Sequence, residues 1–135
     1  MQAAMARGAQ AYYQTQVQSQ SPLELVVMLY DGAIRFLNVA ADGTRRQDLK
    51  AKREGMSRAL AIISELQNTL NLQEGGEVAQ SLDLLYTYIN GRLLEANIKK
   101  DAAPLDEAVR LLQPLRDAWA QVATSPGQPL GKERR

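Results

Sequence analysis

The run Ser21-Pro22-Leu23-Glu24-Leu25-Val26-Val27-Met28-Leu29-Tyr30-Asp31-Gly32-Ala33-Ile34-Arg35-Phe36-Leu37-Asn38-Val39-Ala40-Ala41 carries a helix start and a helix body in one piece. Ser21 suits the N-cap, Pro22 the first helical position and Glu24 the third, which together make a capping box. The Ser21 hydroxyl can accept from the Glu24 N–H, and the Glu24 carboxylate can accept from the Ser21 N–H. Asp42-Gly43 then reads as the stop. On a wheel of ~100° per residue the apolar positions, from Leu25, Phe36 and Leu29 round to Ile34 and Val27, cover about 200°. Met28 and Val39 extend that arc. Only Glu24, Asp31, Arg35 and Asn38 are left for a polar face.

Three more helices follow from the same periodicity. The second spans about 48–72, with Leu49, Met56, Ala59, Leu60, Ile62, Ile63, Leu66 and Leu70 in an arc of roughly 160°, and Gly75-Gly76 breaks the chain after it. The third spans about 77–100, with Val78, Leu82, Leu85, Ile89, Leu93 and Ala96 as its main stripe. The fourth starts near Pro104 and carries Leu105, Ala108, Leu112, Leu115, Trp119 and Val122; Pro114 inside it predicts a kink on the polar side. Strand signals are weak throughout. Four helices joined by connections of roughly 4–7 residues predict an all-α, antiparallel up-down-up-down four-helix bundle. The expected organisation is an N-terminal arm or cap over 1–20, the bundle over 21–124 and a flexible Pro/Gly-rich tail over 125–135.

Composition removes much chemistry. The 135 residues include no Cys and no His. Disulfides, Cys-based zinc sites, iron–sulfur clusters and thiol nucleophiles are excluded, as are Ser-His-Asp catalysis, histidine phosphotransfer, His-ligated haem and His-containing di-iron sites. Lys plus Arg is 16 against 15 for Asp plus Glu, a net charge of +1. That balance gives no electrostatic case for nucleic acid or an anionic membrane surface. No apolar run is long enough to span a membrane, and the first twenty residues, with six Gln and Arg7 as their only charge, do not read as a secretory signal. A cytoplasmic protein is expected. No catalytic residue, metal ligand or cofactor motif emerges. The carboxylates Asp83, Glu95, Asp101, Asp106 and Glu107 have no metal-ligand spacing, and Gly75-Gly76 lacks the context of a phosphate loop.

Two helices carry more apolar surface than one seam can hide. The first does so through its ~200° arc, where a bundle helix needs a stripe of somewhat over 100°. The third does so through Leu84 and Tyr88 on one off-stripe ridge and Leu94 and Ile98 as another pair. One reading is an imperfect bundle, its surplus scattered or covered by the N-terminal segment. The reading favoured here is a docking groove for another chain, because two helices carry the surplus and no chemistry competes. Leu25, Leu29 and Phe36 from the first helix and Leu84, Tyr88 and Leu94 from the third are the groove candidates. Tyr30, Tyr86 and Trp119 lie near the core stripes and read as packing residues with polar tips at the rim. Arg45, Arg46, Lys50, Lys52 and Arg53, interrupted by Asp48 and Glu54, read as a solvated helix start rather than a nucleic-acid patch.

These residues also resemble a family. Ala11-Tyr12, followed by Ser21-Pro22-Leu23-Glu24-Leu25 and Met28-Leu29-Tyr30-Asp31-Gly32-Ala33, is similar to the opening of the flagellar export chaperone FliS family. Leu84-Leu85-Tyr86-Thr87-Tyr88-Ile89, with Arg92-Leu93-Leu94-Glu95-Ala96-Asn97 and Asp101, resembles its second signature, and Leu111-Leu112 with Leu115 and Trp119 fits its last helix. The resemblance covers about residues 11 to 122. It implies a cytosolic bundle that binds the C-terminal segment of flagellin, prevents premature polymerisation and assists delivery to the flagellar type III export gate. It further implies that Tyr12 caps a hydrophobic pocket and helps regulate access to the binding surface. An export-gate component and a co-chaperone are further candidate partners. No cofactor is implied, and nucleic acid and membrane insertion are not expected. The alternative is a structural bundle that self-associates, as a homodimer, without a flagellin client.

Overall fold

The computed structural model describes residues 21–124; the Tyr12 cap, the arm over 1–20 and the tail over 125–135 lie outside the described residues. Within 21–124 the chain forms four helices and no strand: α1 (Pro22–Arg46), α2 (Leu49–Asn68), α3 (Gly76–Lys99) and α4 (Ala103–Ala123). They run alternately up and down. α1 packs on α2 and α4, α3 packs on the same two neighbours, and α1 and α3 are diagonal to each other. The two pairs that include α1 are the most intimate, and α3 is held less closely.

The capping box forms as the sequence predicts. The Glu24 N–H donates to Ser21 Oγ at 3.2 Å, and the Ser21 N–H donates to Glu24 Oε1 at 2.8 Å. The predicted stop at Asp42-Gly43 is corrected: α1 continues to Arg46 and ends on Gln47 in the left-handed region. Gly43 is there for packing. A Cβ on it would come within 2.6 Å of the Lys52 backbone nitrogen, so glycine lets the first turn of α2 lie directly on α1. Gly55 does the same one layer further along, where a Cβ would meet the Ala40 nitrogen and the Phe36 carbonyl oxygen at 2.6 Å. α2 ends at Asn68 rather than Leu72, and the α1–α2 and α3–α4 connections are shorter than predicted. α4 runs through Pro114, which lies on its exposed side.

The core is contributed by all four helices, with Leu37, Ile63, Leu93, Leu105 and Leu112 among its fully enclosed side chains. Tyr30 and Tyr86 are also enclosed, which corrects the expectation of polar tips at the rim. Their hydroxyls meet across the bundle diagonal at 2.6 Å. One hydroxyl donates and the other accepts, which offsets much of the cost of burying two phenols. Burial pushes both tyrosines above the usual phenol range; the mutual hydrogen bond adds to the rise at Tyr86 and opposes it at Tyr30.

This pair sets a mutational and a pH expectation. Tyr86→Phe strands the Tyr30 hydroxyl in the core and costs about 1–3 kcal/mol, whereas the double change to Phe costs less than the two single changes summed. Below pH 10.0, the ordinary tyrosine value, both phenols are neutral whether the chain is folded or not. Above it only the unfolded chain ionises, so stability falls with rising pH, by up to ~1.4 kcal/mol per pH unit for each tyrosine. Urea titrations between neutral and alkaline pH measure both effects. A double variant that keeps the same alkaline slope removes the assignment.

Candidate partner-binding surface

Four apolar side chains on the outward side of α3 stay in solvent: Leu84 is 72% exposed, Tyr88 48%, Leu94 59% and Ile98 78%. Helix periodicity explains why. Leu82, Leu85, Tyr86, Ile89, Leu93 and Ala96 face the core or the neighbouring helices. Leu84, Thr87, Gly91, Leu94 and Ile98 recur at alternating steps of three and four on the side away from it. That spacing is a heptad seam on a helix with no partner there among the described residues. The seam is about 21 Å long at 1.5 Å per residue. At its centre Gly91 is open: a Cβ would meet nothing within 4 Å.

Polar contacts border the seam on both sides. Toward α4, the Tyr88 hydroxyl donates to Glu107 Oε2 at 2.8 Å, and Arg92 Nε donates to Glu107 Oε1 at 2.6 Å. Arg92 Nη1 also reaches Glu95 at 2.6 Å, and Lys99 Nζ reaches Glu95 at 2.9 Å. Arg92 therefore holds the Glu107 carboxyl below its ordinary range, with help from Tyr88. Lys99 and then Arg92 do the same for Glu95. The hydrogen bond to Glu107 holds the Tyr88 phenol above its ordinary range. Toward α2, Gln67 Nε2 donates to Asp83 Oδ1 at 2.8 Å and to Thr87 Oγ1 at 2.9 Å. The contacts tie α3 to its neighbours from the edges and leave the middle of the seam bare.

The three α1 candidates lie elsewhere. Leu25, Leu29 and Phe36 are half-buried on a helix diagonal to α3, so the two sets do not line one groove. Leu29 and Phe36 pack against the core, and the Phe36 ring has the Arg35 and Arg58 guanidiniums 4.7 and 5.4 Å from its centre. Much of the α1 surplus is thus spent on α2, whose close approach at Gly55 widens the face α1 can cover. Ile98 and Gly91 were absent from the candidate set. The signal for them was the three-four spacing that continues through Leu84 and Leu94.

A second apolar feature closes the end of the bundle where the chain enters α1. A cavity of about 430 Å³ is lined there by Val26, Leu66, Leu70, Leu82, Tyr86 and Trp119, among others. Among the described residues no group of acidic side chains could hold a metal ion, and no helix is long and apolar enough to cross a membrane.

Comparison with known proteins finds relatives over most of the chain. The family model described as flagellar protein FliS matches residues 5–126. The flagellar secretion chaperone FliS of Salmonella typhimurium is 39% identical over 123 residues, covering 87% of this chain and 91% of its own. That of Bacillus subtilis is 38% identical, covering 85% of each chain. That of Escherichia coli is 34% identical, covering 90% of this chain and 93% of its own.

The geometry separates surface from core by mutation. Leu84→Lys and Leu94→Lys are expected to change stability by no more than ~0.5 kcal/mol, because the positions are already in water. Leu29→Lys is expected to cost more than ~1 kcal/mol by forcing a charge against the core. Urea midpoints of the three variants make the comparison. Equal losses at all three positions would place Leu84 and Leu94 in the packed interior instead.

Proposed function

The chain belongs to the FliS family and is a flagellar export chaperone, and on that premise we propose that its client is the C-terminal segment of flagellin, held on the outward seam of α3. The family is one of chaperones and not of enzymes. The observation that carries the proposal is the bare seam of Leu84, Leu94 and Ile98 with Tyr88 at its margin. An amphipathic segment with apolar residues at the same spacing docks there as a helix laid along a helix. Ordering such a segment costs roughly 2–5 kcal/mol. Covering each large, mostly exposed apolar side chain returns roughly 1–2 kcal/mol. Four of them offset the ordering cost, and the client's own buried stripe supplies the remainder. The complex is then specific without being permanent, which suits a chaperone that releases its client to the flagellar export apparatus from the bacterial cytosol. Covering the client's sticky stripe also blocks premature polymerisation. An export-gate component or a co-chaperone would meet other faces of the bundle.

In the same proposal Tyr12 caps the apolar cavity at the start of α1. It lies nine residues before Ser21, within a reach of about 30 Å for an extended chain. Leu25, Leu29 and Phe36 offer a second, shallower apolar strip on α1, bordered by Arg35 and Arg58, for a more distal part of the client. One feature favours a second reading. The seam is nearly symmetric about Gly91, with Leu84 seven residues before it and Ile98 seven after. Two copies could therefore pair through antiparallel α3 helices, as a homodimer without a client.

Binding of full-length flagellin, and of flagellin lacking its C-terminal segment, tests the proposal against both alternatives. The wild-type chain is expected to bind only the full-length client, and Leu84→Lys/Leu94→Lys to weaken binding at least ~10-fold with helicity unchanged by circular dichroism. Undiminished binding by the double variant removes the seam from the site. A concentration-dependent dimer in light scattering that ignores flagellin supports the second reading. Trp119 is the only tryptophan, so Tyr12→Ala is expected to shift its emission to longer wavelength as the cavity opens to water. An unchanged spectrum removes Tyr12 from the cavity.

A further inference from the structure

The opposite end of the bundle, where α1 and α3 finish and α2 and α4 begin, is built around charge. Lys52 in the first turns of α2 is only 8% exposed, the one buried charged residue among those described. This corrects its reading as part of a solvated helix start. The cause is the close seat of α2 on Gly43, which places the Lys52 backbone against α1. Its side chain helps line a cavity of about 380 Å³ whose other walls are Gly43, Thr44, Gln47, Leu49 and Lys100. Two of these six residues are cations and none is an acid.

Neither ammonium has a hydrogen bond or ion pair among the described residues. Most of the carboxylates at this end are engaged elsewhere. Asp42 and Asp106 pair with Arg45. Asp48 accepts from the Ala51 N–H at 3.2 Å, Asp101 from the Ala103 N–H at 3.0 Å, and Glu95 is held by Arg92 and Lys99. A lysine this enclosed with no ion-pair partner is costly, and it lines a cavity large enough to admit an anion. We propose that the cavity binds a small phosphate-bearing ligand, its oxyanion held between Lys52 and Lys100. Lysines meet phosphate as point charges, and a pair of them matches a dianion. The forked guanidinium that suits a carboxylate is absent from the lining. The Thr44 hydroxyl already donates to the Ala40 carbonyl at 2.8 Å, which leaves the two ammoniums and the Gln47 amide as donors.

Inorganic phosphate titrated into the full-length chain at constant ionic strength tests this, read by calorimetry and by the unfolding midpoint. Saturable binding with a rise in the midpoint is expected, with chloride inert and acetate weaker. Lys52→Met, which keeps the apolar stem, is expected to weaken phosphate binding roughly 10–100-fold. Lys100→Gln changes an exposed residue, so it keeps the test decisive even where Lys52→Met fails to fold; it is expected to weaken binding about tenfold. Absence of a saturable phosphate response, an equal response to acetate, or full phosphate binding by Lys100→Gln overturns the proposal. Flagellin plays no part in this test, so its outcome is independent of the client assignment.

Discussion

Backbone contact between α1 and α2 sets the spacing of the bundle. Gly43 and Gly55 leave no Cβ at the two places where the helices touch, and Ala40 lies opposite Gly55. Such contact brings the helices closer than large side chains allow. It encloses Tyr30, Ala33, Leu37, Ala40 and Ala41 of α1, with α4 closing the other side. α1 can therefore carry an apolar arc that would be excessive on an ordinary bundle helix. α3 is in the opposite position. It meets only α2 and α4, and both contacts are looser. Surplus apolar residues on α1 become core, while those on α3 remain in water.

With no direct α1–α3 packing, the Tyr30–Tyr86 hydroxyl pair spans the diagonal. It fixes how deeply α3 sits, because a shift of one helix would leave two buried phenols unpaired. The edge contacts of α3, Glu107 with Arg92 and Tyr88 on one side and Gln67 with Asp83 and Thr87 on the other, fix its rotation. Exposed ion pairs add little stability by themselves. Their effect here is orientation: rotating α3 to hide Leu84 or Leu94 would break contacts on both edges.

Local signals were readable because their causes are local. Ser21, Pro22 and Glu24 sit within one turn, so the capping box followed from the residues alone. Leu84, Tyr88 and Leu94 were separable from the core by angle on their own helix, and all three lie exposed. What failed depends on neighbours. Gly43 has the same sequence signature whether it ends a helix or admits another one. Lys52 looks solvated until α2 is seated on α1. A wheel also gives an angle on one helix and not the position of that helix in the bundle. Leu29 and Leu84 both count as surplus apolar surface on their own helices, yet one packs against the core and the other faces solvent. The diagonal placement of α1 and α3 was what kept their candidate sets apart.

An exposed apolar seam is a hazard in a concentrated solution, and the sequence of α3 limits it. Thr87 and Gly91 interrupt the row between Leu84 and Leu94, so the large side chains fall into two pairs, Leu84 with Tyr88 and Leu94 with Ile98, rather than one continuous patch. Arg92, Glu95 and Lys99 place charge along one margin. Non-specific collapse rewards broad contiguous apolar area, which this surface does not offer. A helix with matching three-four spacing gains more, because its side chains enter the spaces between Leu84, Leu94 and Ile98 and its backbone approaches over Gly91. The gaps that reduce stickiness toward arbitrary partners are the ones an in-register helix fills. On the proposed reading, selectivity for an amphipathic client and resistance to non-specific collapse arise from the same small residues.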